Sequence, residues 1–246
     1  MKTIKTQEGK TCKPQRIPSS ARLTMPQIQN AYDEIASQYE KRTWFDQHIL
    51  GVARLKKKLL SKASGKILEV ACGTGSNLPF FPAGSEVTAV DLSPKILKIA
   101  RENAIKHGLN VNFAVMDAEH LEFPDGSFDT VVSTLSTCTF PNPLKALQEI
   151  QRVCRPNGLI LLLEHGHSSL PWLAKYQDRH EYQHYEDHAG CRWNQDPLDL
   201  VQSAGIKIVR SKRNILGMFH SIEAMPIINI CHCEEGALPD EAISLP

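Results

Sequence analysis

No stretch of this 246-residue chain is apolar over anything near the ~20 residues that span a bilayer, and its first residues lack the apolar core of a secretory signal. Neither a membrane span nor export is expected. An excess of charge of one sign is also missing. The 28 basic and 27 acidic residues leave a formal net charge of +1 and are mixed through the body, so no continuous surface for a polyanion such as nucleic acid is expected. Regular cysteine spacing is absent too. Seven cysteines fall at irregular intervals on apparent core strands, helices and the tail, as in proteins of reducing compartments rather than in disulfide frameworks. The expected location is the cytoplasm or the mitochondrial matrix, with no secretion. No internal repeat is visible.

What is present is an alternation of elements. The length suits one α/β domain, here 26–230, between a flexible first segment, 1–25, and a tail, 231–246. The first segment carries Lys2, Lys5, Lys10, Lys13, Arg16 and Arg22 against Glu8, and reads as a basic tail or an organellar presequence. Apolar residues recurring every three or four positions predict helices from Gln27 to Lys41 and from Phe45 to Lys62. Strands are predicted at Lys66 to Ala71, Glu86 to Val90, Val111 to Val115, Phe128 to Ser133 and Leu159 to Leu163, with helices at Pro94 to His107 and Pro143 to Cys154. This order is that of a doubly wound, mostly parallel sheet. Beyond it, Trp172 to Ala189 and Pro197 to Ala204 read as helices. Ile206 to Arg210 and Leu216 to Met225 read as an antiparallel hairpin at the sheet edge, making seven strands in all.

The chemistry is concentrated in Ile67-Leu-Glu-Val-Ala-Cys-Gly-Thr-Gly-Ser-Asn77, an apolar strand running into a Gly-x-Gly turn. Gly73 and Gly75 remove the side chains that would keep a ligand from the backbone and tolerate positive φ. The next strand ends in Asp91, whose carboxylate suits the two hydroxyls of a ribose. The third glycine of a dinucleotide fingerprint is replaced by Leu78, which weakens a nicotinamide-cofactor reading.

In combination these residues resemble the class I S-adenosylmethionine-dependent methyltransferases, in which an acid is followed by three residues and then Gly-x-Gly, as Glu69 is by Val70-Ala-Cys72 and Gly73 here. The resemblance covers Tyr32 to Glu164 well and implies a Rossmann-like fold with S-adenosyl-L-methionine as cofactor. It assigns the ribose to Asp91 and the adenine amine to Asp117. The cofactor-binding set it implies is Tyr39, Glu69, Ala71, Gly73, Gly75, Asp91, Leu92, Asp117, Ala118 and Ser133. Tyr32 to Tyr39 is similar to the N-terminal helix of the quinone-methyltransferase-like branch, where it folds over the cofactor. Val131-Val-Ser-Thr-Leu-Ser-Thr-Cys138, Leu163-Glu-His165 and Gly190-Cys-Arg-Trp193 look like the group that includes alkyl-thiol methyltransferases and mitochondrial methyltransferase-like proteins. Thiol enzymes of that group carry an apolar N-terminal anchor, whereas the first residues here are basic and polar.

Methyl transfer is a displacement at a sulfonium methyl, so alignment and exclusion of water dominate. A base is needed only if the acceptor must lose a proton. His165, following the fifth strand, is the catalytic candidate because imidazole titrates near neutrality; a hydrogen-bonded pocket wall is the competing role. His167 is a weaker candidate, Glu164 one that orients a neighbour, and Cys138 reads as packing in the wall. His180, His184 and His188 share one helical face, but i to i+8 spans about 12 Å, too far for one ion. Cys231-His-Cys233 lacks a second ligand pair, and no metal is expected. The expected activity is methyl transfer to a small-molecule thiol, phenol or quinol, or amine. RNA or protein methylation and a non-catalytic assembly factor are the alternatives. No nucleic-acid partner is expected: Ser133-Thr-Leu-Ser136 stands where an Asn-Pro-Pro-Tyr-type amine motif would be, and the only basic appendage is the first segment.

Overall fold

The computed structural model describes residues 22–40 and 51–227. The basic first segment up to residue 21, the predicted helix start at Phe45 and the Cys231-His-Cys233 tail lie outside the described residues. Helix α1 (Met25–Ile35) opens on a capping box between Thr24 and Gln27 and tightens into a 3-10 turn at Ala36–Gln38, earlier than the periodicity predicts. Helix α2 (Val52–Leu60) follows Gly51, whose φ of 77° suits glycine.

The sheet contains β1 (Lys66–Val70), β2 (Glu86–Asp91), β3 (Val111–Val115), β4 (Phe128–Thr134), β5 (Cys154–His165), β6 (Ile206–Asn214) and β7 (Phe219–Pro226). Their order is β3-β2-β1-β4-β5-β7-β6. The first five are parallel, and β7 runs antiparallel to both β5 and β6. The chain builds outward from β1 in one direction through β3, then returns to β4 on the other side. That reversal opens a crevice at the carboxyl ends of β1 and β4, where open α/β sheets bind ligands.

Strands buried on both faces need apolar residues on both, and the central ones have them. Leu68, Val131, Ile160 and Leu162 face one layer with Leu147 and Ile150 of helix α4 (Pro143–Val153). Ile67, Val132, Leu161 and Leu163 face the other with Leu59 and Leu60 of α2. Helix α3 (Pro94–Lys106) starts where Ser93 Oγ accepts the Ile96 N–H at 3.1 Å, and α4 where Asn142 Oδ1 accepts the Lys145 N–H at 3.1 Å.

Other boundaries also differ from the sequence expectation, β6 among them, which runs to Asn214 rather than Arg210. The helix predicted from Trp172 to Ala189 breaks at His180 into α5 (Pro171–Arg179) and α6 (Glu181–Asp187). Helix α7 (Pro197–Ser203) lies where expected, with Asp196 accepting the Leu198 N–H at 2.9 Å. The last strand begins at Phe219, not Leu216, because Ile215, Leu216 and Gly217 all take positive φ and form the hairpin turn. Ser168 Oγ and the Ser169 N–H donate to the Leu216 carbonyl at 2.8 and 3.1 Å and hold that turn. β5 begins at Cys154, directly after α4, rather than at Leu159. Among the described residues no helix is long and apolar enough to cross a membrane.

Leu147 is fully buried at the α4 and sheet contact. Leu147→Ala should cost about 2–5 kcal/mol, read as a lower urea midpoint with the slope of the transition unchanged.

Candidate active site

A pocket open to solvent, with roughly 660 Å³ of non-protein space counting the open solvent within it, lies over the carboxyl ends of β1, β2 and β4. Its floor is Ala71 and Gly73 after β1, Asp91 and Leu92 at the end of β2, and Met116 and Ala118 after β3; Thr134, Leu135 and Ser136 at the end of β4 add a side wall. Ile28 and Tyr32 of α1, with Tyr39 just beyond the 3-10 turn, cover it. The two tyrosine rings sit 6.0 Å apart. Ala71 and Leu135 both take φ of 55°, a conformation unfavourable for residues with a Cβ, and such strain concentrates where a site is being shaped.

Asp91 ties the floor together. Its Oδ2 accepts the Gly73 N–H at 2.9 Å and its Oδ1 the Ser93 N–H at 3.0 Å. Burial pushes this carboxyl above its ordinary range, while the N–H groups of Ser93, Gly73 and Leu92 pull it back. Asp33 of α1 accepts hydrogen bonds from Ser93 Oγ and from the Lys95 N–H, so the cover is anchored to the start of α3. The two loop glycines serve different ends. At Gly73 an added Cβ would meet only Tyr39 at 3.8 Å, whereas at Gly75 it would fall 2.8 Å from Leu78 Cδ1. Gly73 therefore leaves backbone open to a ligand, and Gly75 allows close packing under the loop.

Glu69 lies beneath this loop, fully buried. Asn77 Nδ2 donates to Glu69 Oε1 at 2.7 Å and to Thr134 Oγ1 at 2.9 Å. Among the described residues Glu69 Oε2 and Asn77 Oδ1 have no hydrogen-bond partner, and buried polar atoms ordinarily have one. These acceptors fit a ligand carrying donor groups. Burial first of all pushes the Glu69 carboxyl up to about 7, and burial pushes the nearby Lys56 ammonium down to about 8.

Of the residues singled out from sequence, Tyr39, Ala71, Gly73, Asp91, Leu92 and Ala118 line the pocket. Glu69, Gly75, Asp117 and Ser133 support it from behind. Asp117 Oδ1 accepts the Glu119 N–H at 2.7 Å, and Ser133 Oγ donates to the Val70 carbonyl at 3.2 Å. His165 lies outside the pocket wall, with its Nε2 3.3 Å from Cys191 Sγ and its ring against Phe219. Glu164 accepts the N–H groups of Ser136 and Thr137 at 3.1 and 3.3 Å, which fixes the loop after β4. His167 pairs with Asp178 at 2.9 Å. His184 is stacked between Trp193 and His188 at 4.1 and 4.0 Å; burial pushes it down to about 3, and the stacked rings do not converge on an ion. Tyr32 and Ser136, from the segments Tyr32 to Tyr39 and Ser133 to Cys138 that the sequence pointed to, also line the pocket, as do Thr139 and Phe140, which were not singled out. For Tyr32 a signal existed: it stands seven residues before Tyr39, two helical turns.

A family model described as a methyltransferase domain matches residues 68–162. The mitochondrial methyltransferase OMS1 of Saccharomyces cerevisiae is 28% identical over 208 residues, covering 76% of this chain and 44% of that protein. The thiol S-methyltransferase TMT1B of Homo sapiens is 41% identical over 166 residues, covering 63% of this chain and 66% of that protein. The chain thus spans less than two thirds of the length of these curated relatives. Among solved structures, the cyclase SpnF matches with a TM-score of 0.66 at 18% identity, covering 83% of this chain and 97% of that one. That likeness shows the fold alone.

Folded Glu69 holds its proton up to about 7 against an ordinary value of 4.5. Its share of stability is therefore complete below about pH 4.5 and is lost as the pH rises through about 7. Thermal melts of the ligand-free protein should lose stability across that window, and Glu69→Gln should flatten the loss; an unchanged slope contradicts the assignment.

Proposed function

The chain belongs to the class I S-adenosylmethionine-dependent methyltransferases, and we propose that it methylates a small-molecule acceptor, with a thiol as the leading acceptor class. The cofactor supplies an electrophilic sulfonium methyl when bound. The observation that carries the reading is the Asp91 and Gly73 floor: a buried carboxylate beside open backbone, with Glu69 Oε2, unpartnered among the described residues, beneath it. Asp91 would hold the ribose hydroxyls. Leu92, Met116 and Ala118 would flank the base, and Glu69 would favour the ammonium of the methionine end through the acceptors below the loop.

The acceptor class follows from what the wall offers. Among the described residues lining the pocket, Asp91 is the only carboxylate and no imidazole is present. Burial pushes the Tyr32 and Tyr39 phenols above their ordinary range, which keeps both protonated at neutral pH. Tyr32 and Tyr39 therefore exclude water and orient by hydrogen bonding rather than accept a proton. An acceptor that ionises readily fits such a wall, and a thiol, with an ordinary pKa of about 8.5, does so more readily than a phenol near 10. The similarity to a protein named as a thiol S-methyltransferase supports the same choice. Four buried cysteines without disulfides, Cys72, Cys138, Cys154 and Cys191, support a reducing compartment such as the cytoplasm or mitochondrial matrix.

A transfer assay with methyl-labelled S-adenosylmethionine against panels of thiols, quinols, phenols, amines and bulk RNA tests this reading. Label should appear, saturably, on small thiols. Label confined to RNA or protein, or no transfer by protein that binds the cofactor, would overturn it.

A further inference from the structure

Cys138, His165 and Cys191 come from three separate segments, the loop after β4, the end of β5 and the loop after α6, and meet beside the pocket. One ligand-type atom from each lies within 4.8 Å of the other two. We propose that these three residues form a site for a zinc-class divalent ion, with the fourth coordination position turned toward the acceptor side of the pocket.

The donor set and its spacing fit. Zinc takes thiolate sulfur at about 2.3 Å and imidazole nitrogen at about 2.0–2.1 Å in tetrahedral array, which separates the donors by roughly 3.5 to 3.8 Å. Nε2 of His165 is already 3.3 Å from Cys191 Sγ, and with all three donors within 4.8 Å of one another the widest pair has at most about 1.3 Å to close. Two thiolates and a neutral imidazole balance the charge of a dication, which is how buried charge is tolerated. Both cysteines are buried, at 3% and 8% exposure.

The surroundings hold the donors in place. The Arg192 N–H donates to the Cys138 carbonyl at 3.0 Å, stitching the loops that carry the two cysteines, and the Cys191 N–H donates to the His188 carbonyl at 3.0 Å. The His165 ring also packs edge-on against Phe219, a contact that helps to hold its orientation. Glu164 fixes Ser136 and Thr137, immediately before Cys138. Three protein donors leave a fourth position, the pattern of sites that take an exogenous ligand. Ser136 and Thr139, which flank Cys138 in the sequence, both line the pocket. With Nε2 turned to the sulfurs, His165 is placed as a ligand rather than as a base.

The exogenous ligand suited to that position is the acceptor thiol. On displacing a bound water it would give its proton to that water, leaving as hydronium, and remain on the metal as thiolate. This use of the ion rests on the thiol reading above; the site itself does not.

The test is spectroscopic and needs no turnover. Reduced full-length protein, stripped with a chelator, is titrated with Co²⁺ and then Zn²⁺. One equivalent of Co²⁺ should give thiolate-to-cobalt charge transfer and tetrahedral visible bands, displaced by Zn²⁺. Cys138→Ser and Cys191→Ser should each weaken binding at least tenfold, while the tail variant Cys231→Ser/Cys233→Ser retains it. In wild-type protein, which avoids any folding defect of the variants, Zn²⁺ should protect Cys138 and Cys191 from iodoacetamide by mass spectrometry. Absence of charge transfer in reduced wild-type protein, or its survival in Cys138→Ser/Cys191→Ser, would overturn the site. Adding 2-mercaptoethanol to the cobalt protein should alter the charge-transfer bands; an unchanged spectrum overturns thiol ligation alone. Failure of the transfer assay with these bands intact would overturn the enzymatic reading and leave the ion in place.

Discussion

A buried carboxylate at the end of one parallel strand, accepting backbone N–H groups from the loop of its neighbour, is the constraint on which this site depends. Asp91 at the end of β2 holds Gly73 of the loop after β1 and Ser93 at the start of α3. Hydrogen bonds to a charged group contribute about 1.5–3 kcal/mol each, set against the cost of burying the charge. Gly73 can accept this geometry because its φ is +56° and the space above it is open. That tie reinforces the Cys72 N–H bond to the Val90 carbonyl, at 3.0 Å, which also joins the glycine loop to the end of β2.

The same device recurs across the switch point. Glu164 at the end of β5 accepts N–H groups of Ser136 and Thr137 after β4, as Asp91 does after β1. Glu69, within β1, accepts from Asn77, which also reaches Thr134 of β4. Three acids on three strands thus fix the glycine loop, the start of α3 and the loop after β4. Burial pushes all three carboxyls up, so the preorganisation carries an electrostatic cost that a cofactor bearing donors would offset.

The sheet was legible because the physics that forms it is local. Apolar runs bounded by Gly, Pro and capping residues marked the parallel strands, and the glycine motif with Asp91 marked the floor. Where side chains mislead, the reading slipped. Ile215 and Leu216 are strand-like by type yet sit in a turn with positive φ, because serines of a distant segment hold the Leu216 carbonyl. The break at His180 has no proline or glycine to announce it; there the His180 ring packs on Tyr176. The cluster of Cys138, His165 and Cys191 has no motif, since its members stand 27 and 26 residues apart and only tertiary structure joins them. Asp117 illustrates the reverse: its position after β3 was predicted, but its carboxylate turns to its own loop while Met116 and Ala118 face the pocket.

The central claim is that the Asp91 floor is a nucleoside cofactor site. Calorimetric titration of S-adenosylmethionine into wild-type protein and Asp91→Asn tests it most directly. The account predicts one site in the wild type and affinity at least about tenfold weaker in the variant, equivalent to 1.4 kcal/mol or more, with the variant still folded. Equal affinity for the two proteins would contradict it.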